Sequence, residues 1–384
     1  MLDSQYSKPR WLLTIAGLLL FVCDIWTDIG LALTYFLEEQ YVWCGLTLLF
    51  VVTGVLVTQI FSCSWYWDDI NDVLMMKPDE KTKQSGMSKR ELAVLHACGL
   101  GVFTRYFHLL HRGFEVLWIR RNCCTAEEIR NEHNKLFCAA ADLSMLKLFK
   151  AFLESVPQLL LQLYIQLCHG EGSYMQYISL AFSFLSVAWG LVDYRRCLRR
   201  SLPHLREMPS GIPTFIYLIY KLCTITSLIL SYSLLLLLST YTTVGFIVLW
   251  LIGTIWAHLL QTNFCSSKSL ELLYRAVIGV ILVFTFFNVK GQDTKAAMLL
   301  YYSLHFIINL TALLLLALLK PELQMTTLFL TLSTLIIGGL VLGLVCLLLY
   351  YFLLHPRGKN RVADEVDGLG KQTETRRITN FMQP

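Results

Sequence analysis

DLSMLKLFKAFLESVPQLLLQLYIQ, residues 142–166, is apolar enough for a membrane yet carries a regular polar line. Glu154, Gln158, Gln162 and Gln166 recur at every fourth position, and residues four apart stack on one face of an α-helix. Lys150 and Asp142 continue this slowly spiralling stripe toward the N-terminal end, with Lys147 close by. The other faces are Leu, Phe, Ile and Val. A polar group in hydrocarbon costs several kcal/mol unless it is satisfied, so the helix must turn its stripe toward protein or water. The glutamines by themselves would serve to lock helix to helix. With the ionisable groups added, the pattern points to a pathway or a switch. We therefore expect the Glu154-to-Gln166 line to face the interior, with Leu159, Leu160 and Leu163 on or near lipid.

The rest of the chain sets this helix in a multi-pass membrane protein. Of 384 residues, 55% are hydrophobic and 15% charged, whereas soluble domains carry roughly a quarter charged residues. The net charge of +5 gathers in short loops, and no basic run is interleaved with base-stacking aromatics, so nucleic acid is not an expected partner. The 12 cysteines show neither CxxC nor a zinc spacing and read as small buried residues. The adjacent Cys123 and Cys124 in a basic loop are candidates for acylation. The first hydrophobic run is too long for a signal-peptide core and has no small-residue cleavage site, so it is expected to be retained.

Taken in order, Lys8 and Arg10 precede an apolar run over 11–37 and place the N-terminus in the cytosol. That run contains Asp24 and Asp28, four residues apart on one face. A span at 41–65 returns to a charged loop, and 92–118 follows, interrupted by Gly99, Gly101, Arg105, His108, His111 and Arg112. Were 92–118 to cross, the basic cluster DYRRCLRRSLPHLR at 193–206 would fall outside, against the positive-inside tendency. It is therefore read as re-entrant, which is permitted when the segment is buried in protein. Spans at 136–168, 174–192, 214–238 and 244–260 follow, then the segment 269–289 with Glu271 and Arg275, and finally spans at 296–319 and 326–354. If 269–289 also re-enters, the basic tail is cytosolic. If it crosses, the tail is outside.

The expected fold is thus an all-α polytopic membrane protein, with eight transmembrane helices plus two re-entrant helices. The order hairpin, re-entrant segment, hairpin occurs twice, which suggests two pseudo-symmetric halves, 1–203 and 204–354, followed by a regulatory tail over 355–384. The tail contains Asp364-Glu365-Val366-Asp367-Gly368, the consensus of an effector caspase cutting after Asp367, in a polar segment of the kind that proteases nick. Caspases are cytosolic, so the motif favours an even number of crossings. Cleavage would release 368–384, in which Ile378, Phe381 and Met382 form a small apolar face at helical spacing. Such a peptide suits a docked, autoinhibitory plug, with the two re-entrant segments as candidate receivers.

Six strings carry a resemblance to a known family: FVCDIWTDIG at 21–30, GVFTRYF at 101–107, ADLSMLKLFKAFLESVPQLLLQLY at 141–164, LVDYRRCLRRSLP at 191–203, SLELLYR at 269–275 and FTFFNVKGQ at 284–292. Together they resemble the XK-related membrane proteins nearly end to end, and the short loops and DEVDG tail look like the caspase-activated subgroup. That resemblance implies a plasma-membrane phospholipid scramblase with both termini cytosolic, which exposes phosphatidylserine during apoptosis once a caspase removes the tail. It further implies that Asp24, Asp28, Arg105 and Glu154 belong to the polar interior of the first half, with Arg275 a weaker candidate in the second. Some members of the subgroup need a single-pass chaperone subunit, so one is a candidate partner beside phospholipids and the caspase.

The residues suit that task. A headgroup crossing between leaflets must avoid bare charge in hydrocarbon, and Asp24, Asp28, Arg105, Asp142, Lys147, Lys150, Glu154 and the glutamines offer a polar route. We expect Arg105 to neutralise Asp24 and Asp28. No P-loop, HExxH or hydrolase constellation occurs, so neither cofactor, metal nor catalysis is expected and transport should be downhill. A solute transporter or channel, and a membrane scaffold with structural charges, remain as alternative readings.

Overall fold

The structure is a computed structural model that describes residues 6–75, 89–119, 126–169, 174–201, 211–288, 295–320 and 327–354. The caspase motif at Asp364–Gly368, the apolar face of Ile378, Phe381 and Met382, and Cys123 and Cys124 lie outside the described residues. Those described are helical, with no strand among them. In chain order the helices are α1 (Lys8–Leu37), α2 (Tyr41–Met75), α3 (Lys89–Ala97), α4 (Gly101–Phe114), α5 (Ala126–Lys150), α6 (Val156–His169) and α7 (Tyr174–Ser201). They continue as α8 (Ile212–Leu238), α9 (Thr242–Leu259), α10 (Lys268–Phe284), α11 (Lys295–Leu319) and α12 (Thr327–Leu349). π-Helical turns follow α4 (Glu115–Ile119), α5 (Ala151–Ser155) and α12 (Tyr350–Leu354).

Among the described residues, 6 helices are long and apolar enough to cross a membrane, over 8–37, 41–70, 212–238, 242–259, 296–319 and 329–354. The pair α3 and α4 makes up to 7 if counted as one broken span. The remaining expected spans, 136–168 and 174–192, are helical, but the first is not one continuous α-helix. The turn at Ala151–Ser155 separates α5 from α6, just before Pro157, whose ring lacks an N–H and crowds the carbonyl of Leu153 four residues back. Two compact units are resolved, Met1–Glu154 and Ser155–Pro384, and the division between them falls inside the stripe helix.

In the first unit, α4 runs antiparallel to α1 in a definite register. The Trp11 indole N–H donates to the carbonyl of Leu110 (2.9 Å), the Tyr106 hydroxyl donates to the carbonyl of Gly17 (3.1 Å), and the rings of Phe21 and Phe103 meet at 5.2 Å. At a rise of about 1.5 Å per residue, the step from Trp11 to Phe21 is about 15 Å along α1. There the chain reverses, α3 and α4 being bent by 118°. Gly99 takes the bend at φ +78°, in the left-handed region that favours glycine. At Gly101 a Cβ would run into His96 and Gln59.

The bend is fastened to α2. The Gln59 amide donates to the Gly99 carbonyl (2.8 Å) and accepts from the Gly101 N–H (3.0 Å). Gln59→Leu would strand two backbone groups at about 1–3 kcal/mol each. We expect it to lower the thermal midpoint of the purified chain in detergent by several degrees, while Ile60→Leu, at an exposed neighbouring position, leaves it unchanged. Equal midpoints for the two variants would contradict the clamp.

Candidate functional site

The stripe supplies the centre of the first unit's charge network. Lys150, at the last position of α5, and Glu154, in the π turn, are four residues apart. The Lys150 ammonium lies 2.8 Å from Glu154 Oε1 and forms a second, short ion pair with Asp24 of α1. Glu154 is fully buried and Lys150 nearly so, whereas the Asp24 side chain is 40% exposed, so the bridge opens at one end onto the outer side of α1. Oxygens of Asp24, Asp28 and Glu154 all lie within 4.8 Å of one another. Three such carboxylates have the donor chemistry of a hard divalent cation site; here the Lys150 ammonium provides the positive charge. Burying the Glu154 head requires α2 to come close. A Cβ on Gly54 would lie 2.8 Å from Glu154 Cβ and nearer still to its carboxylate.

Arg105 is placed otherwise than expected. Instead of Asp24, which goes to Lys150, it takes Asp142, with Nη1 3.5 Å from Oδ2. Its Nε donates to Ser62 Oγ (2.8 Å) and Nη2 to the Ser62 carbonyl (3.0 Å), and its guanidinium covers the Tyr66 ring at 4.1 Å. The position near the bend decides this, since Arg105 lies one turn into α4 and Ser62 and Tyr66 are what α2 presents there. His96 completes the cluster. Its Nδ1–H donates to the Leu92 carbonyl (2.8 Å), because a carbonyl only accepts. Its Nε2 lies 2.9 Å from Ser62 Oγ, which also accepts from the Arg105 Nε–H. Lys147 lies with Nζ 5.3 Å from the Tyr106 ring centroid, packed against Gly17 of α1.

Beyond the π turn the stripe holds only in part. Gln158 is buried, but Gln162 and Gln166 are half-buried. Leu159, Leu160 and Leu163, expected on lipid, are buried at 2%, 9% and 7% exposure. A π turn inserts one residue into the helical repeat and rotates everything after it by about 100°, so a stripe counted in fours through 154 slips out of phase.

The second unit was less visible in the sequence. Arg275 fastens the α9–α10 connection. Its Nη2 donates to the Thr262 carbonyl (2.6 Å) and Nη1 to His258 Nδ1 (2.7 Å), while Glu271 lies 3.6 Å away and accepts from the Cys265 N–H (2.7 Å). Lys221, buried in α8, donates to Thr285 Oγ1 (3.3 Å) and the Phe286 carbonyl (3.1 Å) just past α10. Arg195, counted in the sequence with a basic cluster, is 5% exposed, with its guanidinium 4.5 Å from the Tyr217 ring centroid and 5.2 Å from that of Tyr350. Ser231 donates to Asn309 Oδ1 (2.7 Å), and the Asn309 amide meets His305 Nδ1 (3.1 Å). A lone lysine in an apolar run was the one available signal for Lys221; nothing local marks Ser62 or Gly54.

Removing one member of a buried pair costs about 3–5 kcal/mol, because it leaves the other charge uncompensated. We expect Lys150→Met to lower the thermal midpoint in detergent more than the double change Lys150→Met with Glu154→Gln, and Gly54→Ala to lower it by pushing Glu154 from its seat. A double variant no more stable than Lys150→Met would refute the pairing.

The family model described as XK-related protein matches residues 12–356. The chain is 56% identical over 382 residues to XK-related protein 9 of Tetraodon nigroviridis, covering 99% of this chain and 100% of that protein. It is 30% identical over 359 residues to XK-related protein 8 of the same fish, covering 92% and 85%, and 30% identical over 360 residues to XK-related protein 8 of Pan troglodytes, covering 90% and 83%. An all-helical, multi-pass chain with its buried charges on the strings first noted in the sequence, matched over nearly its full length, belongs to the XK-related family.

Proposed function

We propose that this chain is a phospholipid scramblase of the plasma membrane, held closed by its C-terminal tail and opened when an effector caspase cuts after Asp367. The observation that carries the reading is the Asp24–Lys150–Glu154 bridge, buried at one end and 40% exposed at Asp24 on α1, the helix with the smallest buried share among the long apolar ones together with α9. A headgroup bearing both charges finds partners of both signs there, while its acyl chains stay in the bilayer. That arrangement avoids the cost of bare charge in hydrocarbon and needs neither ATP nor a covalent step.

The topology of the reading has α3 and α4 re-entrant. α4 begins about 15 Å along α1, which is near the middle of a hydrocarbon core about 30 Å thick, and ends beside Trp11 in the first turn. α3, of 9 residues, has the length to return to the same side. With α10 also re-entrant and α5–α6 and α7 crossing, eight spans leave both termini in the cytosol, where a caspase reaches Asp367. Removing 368–384 lowers the local concentration of a plug that favours the closed state, and so shifts the population to the open one. Phospholipids and the caspase are the partners this reading requires, and a single-pass chaperone subunit is compatible with it.

The experiment reconstitutes full-length protein, Asp367→Ala protein and a chain ending at Asp367 in vesicles, each with and without caspase, and follows both labelled-lipid transfer and ion leak. We expect lipid transfer from the truncated chain and from cut full-length protein, and none from cut Asp367→Ala protein. Ion leak without lipid transfer would make the chain a channel. A truncated chain no more active than the intact one would remove the plug from the reading.

A further inference from the structure

The outer face of α4 and of the π turn after it carries a row of aromatic rings that the charge network leaves unused. Phe107, His111, Phe114 and Trp118 follow one another at i, i+4, i+7 and i+11, the spacing of one helical stripe. All are exposed, Phe107 at 64%, Phe114 at 45% and Trp118 at 42%. They stack in pairs, with ring centroids 5.8 Å apart for Phe107 and His111 and 5.0 Å for Phe114 and Trp118. α1 extends the row at one end. Trp11 meets Trp118 edge-on at 5.2 Å, and Lys8 Nζ lies 5.4 Å from the Trp118 ring centroid.

The depth of this row follows from its neighbours. Lys8 and Trp11 begin an apolar helix of 30 residues, so their end lies at the membrane–water boundary, where tryptophan and lysine gather. From Trp118 to Phe107 the row climbs about 16 Å, toward mid-depth. A column of rings running inward from a boundary lysine has the shape of a seat for one lipid: a headgroup at Lys8 and a chain along the rings.

We propose that this face binds an anionic phospholipid of the leaflet on Lys8's side, with Lys8 taking the phosphate and Trp118, Phe114 and Phe107 taking the chain. Charge selects the headgroup. Lys8 brings a positive charge to the boundary end of the row, while Glu115 reaches back one turn toward His111, with Oε1 3.7 Å from Nδ1. The cation seat over Trp118 is filled by Lys8, so a quaternary ammonium gains no ring face there and meets like charge. A zwitterionic choline lipid therefore binds less well than a lipid of net negative charge. This site rests on the depth given above for α4, but lipid is held here as a ligand rather than moved, so it is tested without any transport measurement.

The test retains the full chain in detergent and measures bound lipid by native mass spectrometry after titration with phosphatidylserine or phosphatidylcholine. The intact chain should hold phosphatidylserine about fivefold better, the scale of one lysine at an anionic surface. Lys8→Gln should abolish the preference and Lys8→Arg keep it, while Trp118→Ala should weaken both lipids. Trp26→Ala, which removes a ring 72% exposed elsewhere on α1, should change nothing. Equal retention of the two lipids by the intact chain, or a Lys8→Gln chain indistinguishable from Trp26→Ala, overturns the proposal. The paired Lys8 variants decide it even where Trp118→Ala does not fold. Loss of scrambling activity with this preference intact would count against the transport reading alone.

Discussion

An ammonium ion within an apolar bundle cannot stay charged without partners, and the arrangement of the first unit follows from supplying them to Lys150. Glu154 reaches it from the π turn and Asp24 from α1. Each partner imposes a further condition. For Asp24 to arrive, α1 must come within side-chain reach of the end of α5, and for the Glu154 head to fit, α2 must pass with no side chain at Gly54. A buried pair of this kind contributes less to net stability than its Coulomb energy suggests, because desolvation offsets most of it. Its effect lies more in register, since any sliding of α1 or α2 would leave a charge unpaired.

The bend between α3 and α4 is the second constraint, and it is met by hydrogen bonds instead of charge. Gln59 holds both sides of the reversal, and Ser62, about one turn further along α2, accepts from Arg105 and meets His96. Because Arg105 also pairs with Asp142, the bend, α2 and α5 are tied at one point. Helix termini at membrane depth would otherwise leave backbone groups unsatisfied. In the second unit Arg275 also has an acid beside it, Glu271, whereas Lys221 donates to backbone and hydroxyl oxygens and Arg195 lies against tyrosine rings. These contacts fasten helix ends, whereas the bridge at Asp24 remains partly open.

Much of this was legible in the chain itself. Long apolar runs marked where the helices lie, because a span needs a length that few other sequences have, although α2 runs on to Met75, α7 to Ser201, and α5 begins at Ala126. Asp24, Asp28 and Glu154 were identifiable because a carboxylate in such a run has no bland explanation. Gly99 and Gly101 marked a break, and the six strings named the family. What failed was phase and partnership. Pro157 was present to read, but the π turn it accompanies was not, so Leu159, Leu160 and Leu163 were assigned to the wrong face. Arg105 was matched to the nearest acids in composition, although its neighbours depend on how far α4 climbs α1.

Hydropathy, charge at helical spacing and the family's strings therefore determined, from sequence alone, that the chain is a multi-pass helical membrane protein with buried ionisable groups in its first half. These are properties of single segments and survive without knowledge of their neighbours. Which cation meets which carboxylate, why residue 54 is glycine, and that Ser62 and Gln59 hold the bend were decided by tertiary structure. Each is a contact between helices, and an uncharged serine, glutamine or glycine acquires its role only from what another helix brings within about 3 Å of it.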